Sequence, residues 1–108
     1  MFARRVTMKL KPESDSEFTR KLEKEVIPLL QKQTGFKDEI TFVTTGGKEA
    51  LAISLWDRRE DAEAYNSAKY SEVVKILGTV VEGTPHVQSG EVSNSTFHKI
   101  AVAAAARV

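Results

Sequence analysis

An α+β domain with the element order β-α-β-β-α-β is predicted for this chain, and three observations predict it. Strand-type alternation opens the sequence, an apolar hairpin carrying Gly46–Gly47 lies near its centre, and helical spacing follows each of these. The most informative stretch is Leu51–Tyr65, read LAISLWDRREDAEAY. There Leu51, Ile53 and Leu55 alternate with Ala52, Ser54 and Trp56, and the period changes to that of a helix right after the only tryptophan. Such a seam between sheet and helix is where small α+β domains tend to form pockets.

Taken in order, Phe2–Lys11 places Phe2, Val6, Met8 and Leu10 on one face of a first strand and Arg5, Thr7, Lys9 and Lys11 on the other, with Arg4 interrupting the apolar face. Pro12 ends it. Ser14, Asp15 or Ser16 then supplies the N-cap of a helix whose buried stripe is Phe18, Leu22, Val26, Leu29 and Leu30, with Glu17–Lys21 as a supporting surface pair. Pro28 removes a backbone donor inside this helix and crowds the Lys24 carbonyl, so a kink or early break is expected there, and Gly35 reads as the stop. Residues 39–56 form the hairpin, Ile40 and Phe42 alternating with Thr41 and Val43. The helix after Asp61 carries Ala62, Tyr65, Asn66 and Lys69, breaks at Tyr70–Ser71, and resumes through Val73, Leu77, Val80 and Val81 to Gly83. Thr84–Pro85 ends it, and His86–Val92 is the last strand, with Gly90 as a bulge.

This order is the ferredoxin-like arrangement, an antiparallel sheet with both helices on one face. Val6, Met8, Leu10, Ile40, Phe42, Leu51, Ile53 and Leu55 are expected under the helices. The opposite face would then show Thr7, Val43, Ala52, Ser54, Trp56 and His86, too mixed for a core and too apolar for bulk water. Pairing with a second copy covers such a face, so a homodimer is expected.

Composition narrows the function classes. The chain's 108 residues suit one domain, and 16 Lys+Arg against 15 Asp+Glu leave a formal net charge of +1, which removes the electrostatic reason for a nucleic-acid or acidic-membrane partner. With no cysteine there is no disulfide framework and no thiolate chemistry. No apolar run approaches a membrane span and no apolar leader opens the chain, so a cytoplasmic location is the default. Phosphate-cradling, zinc-binding and nucleophile-elbow motifs are absent, and His86 and His98 stand in different elements with no metal-site spacing, so no metal is expected. An RNA-recognition module needs exposed aromatics on a basic central sheet, where this chain has Thr, Ala, Ser and a single terminal Trp.

The order of elements and the run SLWDRREDAEAY resemble the antibiotic biosynthesis monooxygenase superfamily, and the resemblance covers roughly residues 2–92. It implies a dimeric α+β barrel, here residues 1–94, with residues 95–108 as a C-terminal extension whose Ala103–Ala106 run is helix-prone. It also implies a cofactor-independent monooxygenase acting on a small aromatic or polyketide-like substrate in a pocket beside Trp56, where oxygen meets a substrate carbanion held by neutral donors. Trp56, Asn66 and Tyr65 are the candidate catalytic residues, and Arg4, Tyr70 and His86 the candidate substrate-binding ones. Each has a plainer reading: Trp56 as a structural seal, the tyrosines as helix-end packing, Asn66 as a solvated amide, Arg4 as a strand-edge charge. No buried base is evident on the seam. The alternative is therefore a non-catalytic dimeric barrel that binds a small molecule or serves in stress. The haem-degrading branch is expected to carry an axial His on the helix and an Asn on the first strand, where this chain has Asn66 and Arg4, so no haem and no other cofactor is expected.

Overall fold

The computed structural model describes residues 1–100. Strand β1 (Phe2–Leu10) buries Phe2, Arg4, Val6, Met8 and Leu10 and turns the residues between them outward. Ser14 occupies the N-cap position of α1 (Asp15–Lys21), but its hydroxyl donates to the Pro12 carbonyl at 3.3 Å and caps nothing. Glu17 pairs with Arg20 and not with Lys21, which reaches Glu25 at 3.9 Å.

The Pro28 problem is solved one turn upstream. Residues Leu22–Val26 form a π-helical turn, with the Ile27 N–H bonded to the Leu22 carbonyl, and α2 (Ile27–Gln31) continues from it. A wider turn relieves the ring's clash with the preceding carbonyls, so the helix runs on where a break was expected, with Phe18, Leu22, Val26 and Leu30 buried.

The hairpin forms as expected, from β2 (Phe36–Val43) and β3 (Glu49–Trp56), with Gly46 at φ 101° and Gly47 at φ 71° in the turn. Next come α3 (Arg59–Ala68), α4 (Tyr70–Leu77) and β4 (Val81–Glu91). Val80 and Val81 were expected on a helix. Instead Gly78 follows the end of α4, and β4 begins five residues earlier than expected, with Val81 opposite Leu10. The irregularity is not at Gly90, which pairs with Ala3. It falls where Thr7 and Lys9 on β1 face His86 and Glu82 on β4, a stretch holding Gly83 at φ 72° and Pro85. Both are tolerated because β4 is an edge strand.

The sheet is antiparallel with strand order β2-β3-β1-β4, the ferredoxin-like order, and the helices cover one face. On β2 and β3 the expected phase is reversed. Trp56 pairs with Phe2, Ser54 with Arg4 and Ala52 with Val6, so these even-numbered residues share the helix-covered face of β1. Glu39, Thr41 and Val43 join them from β2. Burying the largest ring, Trp56, at 0% exposure turns Leu51, Ile53 and Leu55 outward beside Ile40 and Phe42, which are 60% and 50% exposed.

After β4 the chain brings His98 against Asp38 of β2, while Phe97 stays exposed. The Ala103–Ala106 run lies outside the described residues. Among the described residues no helix is long and apolar enough to cross a membrane.

Candidate functional site

Between the sheet and the helices lies a cavity of about 140 Å³. Small side chains create it: Ala52 and Ser54 on β3 stand where larger residues would meet the helices. Leu22, Val26, Leu30, Val73 and Leu77 from the helices, with Val6 and Met8 from β1, form apolar walls, and Gly83 and Pro85 of the β4 irregularity complete the lining. The volume is close to the roughly 150 Å³ of an apolar cavity known to hold a single benzene ring.

The polar lining is concentrated. Register places Glu39, Ser54 and Arg4 in one row across β2, β3 and β1, so the backbones of Glu39 and Arg4 are about 10 Å apart with Ser54 between them. Tyr65 and Tyr70 line the same cavity. Five residues apart, they would point about 140° away from each other on one continuous helix. The break at Lys69, with φ −129° and ψ −20°, brings their ring centroids to 6.3 Å.

Arg4 is the electrostatic centre. It is only 5% exposed; its guanidinium lies 4.1 Å from the Tyr70 ring centroid and 5.3 Å from that of Tyr65, and it donates to Asn66 Oδ1 at 2.7 Å. Among the described residues no carboxylate lies within ion-pair distance of it. The Tyr70 hydroxyl is buried without a hydrogen-bond partner. Burial pushes the Tyr65 phenol up to about 12 although the Arg4 charge pulls the other way, so this group remains an O–H donor at neutral pH.

The six residues singled out by sequence are thus divided. Arg4, Tyr65 and Tyr70 line the cavity. Trp56 lies behind it, stacked on Tyr65 at 5.1 Å and 29° and met edge-on by Phe36 at 5.5 Å. The pocket is therefore beside Tyr65, one ring removed from Trp56. The indole N–H of Trp56 donates to Ser54 Oγ at 2.9 Å, which leaves the Ser54 hydroxyl hydrogen free to donate into the cavity. Asn66 is exposed and acts on Arg4 from outside, along a separate groove between α3 and β4. His86 is exposed on the outer sheet face opposite Thr7, away from the cavity.

Two polar lining residues were not singled out as site residues by sequence, Ser54 and Glu39. Glu39 is half-buried and accepts a hydrogen bond from Thr41 Oγ1. Desolvation raises its carboxyl above the ordinary range, outweighing the opposite pull of Thr41. Its signal was available only to a reader who put Trp56 inward, because the same phase puts Glu39 inward.

His86 faces outward and His98 sits against Asp38, so among the described residues no imidazole reaches the cavity.

No family's sequence pattern matches the chain, and no curated protein does. Solved structures do match. A monooxygenase from Streptomyces coelicolor, the ActVA-Orf6 product in complex with nanaomycin D, superposes with a TM-score of 0.75 at 14% identity over 91% of this chain and 92% of that one. SnoaB, a cofactor-independent oxygenase from Streptomyces nogalater, gives 0.73 at 9% identity over 88% and 95%. A protein of unknown function from Nitrosomonas europaea gives 0.72 at 14% identity over 88% and 91%. The fold is that of the antibiotic biosynthesis monooxygenases.

Proposed function

We propose that this protein is a cofactor-independent monooxygenase acting on a small, flat, enolisable aromatic. The observation that carries the reading is the buried Arg4 guanidinium, without a carboxylate partner among the described residues, against the ring of Tyr70, whose buried hydroxyl is unpartnered, at the edge of an apolar cavity. A buried cation and an unsatisfied donor are costly in an empty site and favourable once an oxyanion forms between them. The apolar walls exclude water and admit oxygen.

That arrangement supports a reaction that passes through an enolate. A methylene acidified by a conjugated or adjacent carbonyl loses a proton, its carbanion passes one electron to O2, and the radical and superoxide combine to a peroxide. Loss of water leaves a ketone, so CH2 and O2 become C=O and H2O. Arg4, Tyr70 and Tyr65 hold the enolate oxygen, while Asn66 orients Arg4 and Trp56 orients Ser54. A cavity of benzene size favours a single-ring or compact fused-ring substrate over a large polyketide.

The same reading includes a cytoplasmic homodimer. Ile40, Phe42, Leu51, Ile53 and Leu55 make an apolar outer sheet face, which a two-fold-related copy of the same face covers.

Oxygen consumption by purified protein with a panel of anthrone-type and single-ring enolisable ketone substrates tests the reading, with products followed by mass spectrometry under labelled O2. One labelled oxygen atom in the product is expected. Saturable ligand binding with no oxygen uptake across the panel would replace the enzyme with a non-catalytic binding module.

A further inference from the structure

The proposed reaction begins with loss of a proton, and among the described residues Glu39 is the carboxylate that lines the cavity. Glu39 lies at the opposite end of the row from Arg4, with Ser54 between them, and its carboxyl is held in place by the Thr41 hydroxyl on the same strand face. Arg4 from β1, Tyr65 from α3 and Tyr70 from α4 are the other charged or titratable groups lining this space; the π turn and α2 contribute Leu22, Val26 and Leu30. We infer that Glu39 is the general base of this site and takes its proton from a substrate whose developing oxyanion points at Arg4 and Tyr70.

The inference rests on the monooxygenase reading for the later oxygen step and on geometry for the proton step. The substrate C–H bond breaks and an O–H bond forms on Glu39, while the electron pair stays on the substrate as an enolate. Negative charge moves across the cavity from the carboxylate to the enolate oxygen beside Arg4. The net charge of the cavity is unchanged, so the transfer needs no counter-ion from solvent. Because Glu39 and Arg4 end the same row, the site selects a flat substrate that lies along it, with its acidic C–H toward Glu39 and its carbonyl oxygen toward Arg4. Half-burial keeps Glu39 a stronger base than a solvated carboxylate, as general-base catalysis near neutral pH requires.

Anaerobic exchange of the methylene protons of 2-indanone for solvent deuterium, followed by NMR, reads the proton step with no oxygen involved. Wild type is expected to catalyse exchange, with a rate that rises with pH to a plateau as Glu39 ionises. Glu39→Gln should lower the rate about 100-fold or more and abolish that acid limb, with 2-indanone affinity within about threefold of wild type. Glu39→Asp, which keeps a retracted carboxylate, should retain the limb at reduced rate. The glutamine variant removes a partly buried charge and is expected to fold as well as wild type, which a thermal melt checks. Exchange by wild type without oxygen uptake on any substrate would uphold Glu39 and defeat the oxygenase reading. Oxygen uptake or exchange undiminished in Glu39→Gln would overturn the base assignment, as would wild type that binds 2-indanone and exchanges nothing.

Discussion

Replacing Tyr70 by Phe should make the free protein more stable and a worse binder, and both magnitudes follow from the site. The Tyr70 hydroxyl is buried with no partner, and a desolvated hydroxyl costs on the order of 1–3 kcal/mol by mutational measures. Phenylalanine keeps the ring, and with it the contact with the Arg4 guanidinium 4.1 Å from the centroid and the packing on Tyr65. Only the oxygen is lost, and the atom-sized void it leaves offsets part of the gain. The net expectation is about 1–2 kcal/mol of added stability, which for a domain of this size raises Tm by roughly 4 °C or more. Paired denaturant melts should show a higher midpoint at unchanged slope. In the bound state the hydroxyl has a partner, so a phenolic or enolic ligand loses one neutral hydrogen bond, about 0.5–1.5 kcal/mol or roughly 2- to 12-fold in Kd. A variant that melts at or below wild type would show that the hydroxyl is already satisfied. The argument that this group waits for a ligand would then fail.

Three further outcomes are expected. Arg4→Met keeps the buried stem and removes a charge with no carboxylate partner, so stability should stay within about 1 kcal/mol of wild type while an anionic ligand loses about 1.5–3 kcal/mol of binding; calorimetry checks the second and a melt the first. Light scattering should give about twice 12.0 kDa for wild type and a monomer for the Ile40→Glu, Phe42→Glu double variant, and a wild-type monomer at micromolar concentration would refute the barrel. Tyr65, raised from 10.0 to about 12 in the fold, binds its proton more tightly folded than unfolded. Its contribution to stability is therefore full below pH 10 and lost as pH rises from 10 toward 12; in Tyr65→Phe that part of the alkaline decline should be missing from the pH dependence of the melt.

The two periodicities of the chain determined its elements. Alternation over Phe2–Lys11 and over Leu51–Trp56, the Gly46–Gly47 turn and the stripe Phe18, Leu22, Val26, Leu29 and Leu30 are local patterns, and each element they marked is present. The interruption at Arg4 was legible in the same way, as a charge on an apolar face, and a helix break was legible too, though expected at Tyr70–Ser71 where the structure breaks at Lys69 and begins α4 at Tyr70. Short apolar runs carry less: Val80 and Val81 fit a helix or a strand, and pairing of Val81 with Leu10 decided for the strand. The phase of the hairpin was decided only by tertiary structure. In β2 and β3 both faces are apolar, Ile40, Phe42, Leu51, Ile53 and Leu55 on one and Val43, Ala50, Ala52 and Trp56 on the other, so alternation states that the faces differ without stating which is inside. The long-range register of Phe2 with Trp56 settles it, and that one choice exposes the larger aliphatic face, opens the cavity above Ala52 and Ser54 and puts Glu39 on the same face as Arg4. A strand's period is a property of its own backbone, whereas its phase belongs to the partner it pairs with. The elements were therefore legible in the sequence, and the acidic half of the site was not.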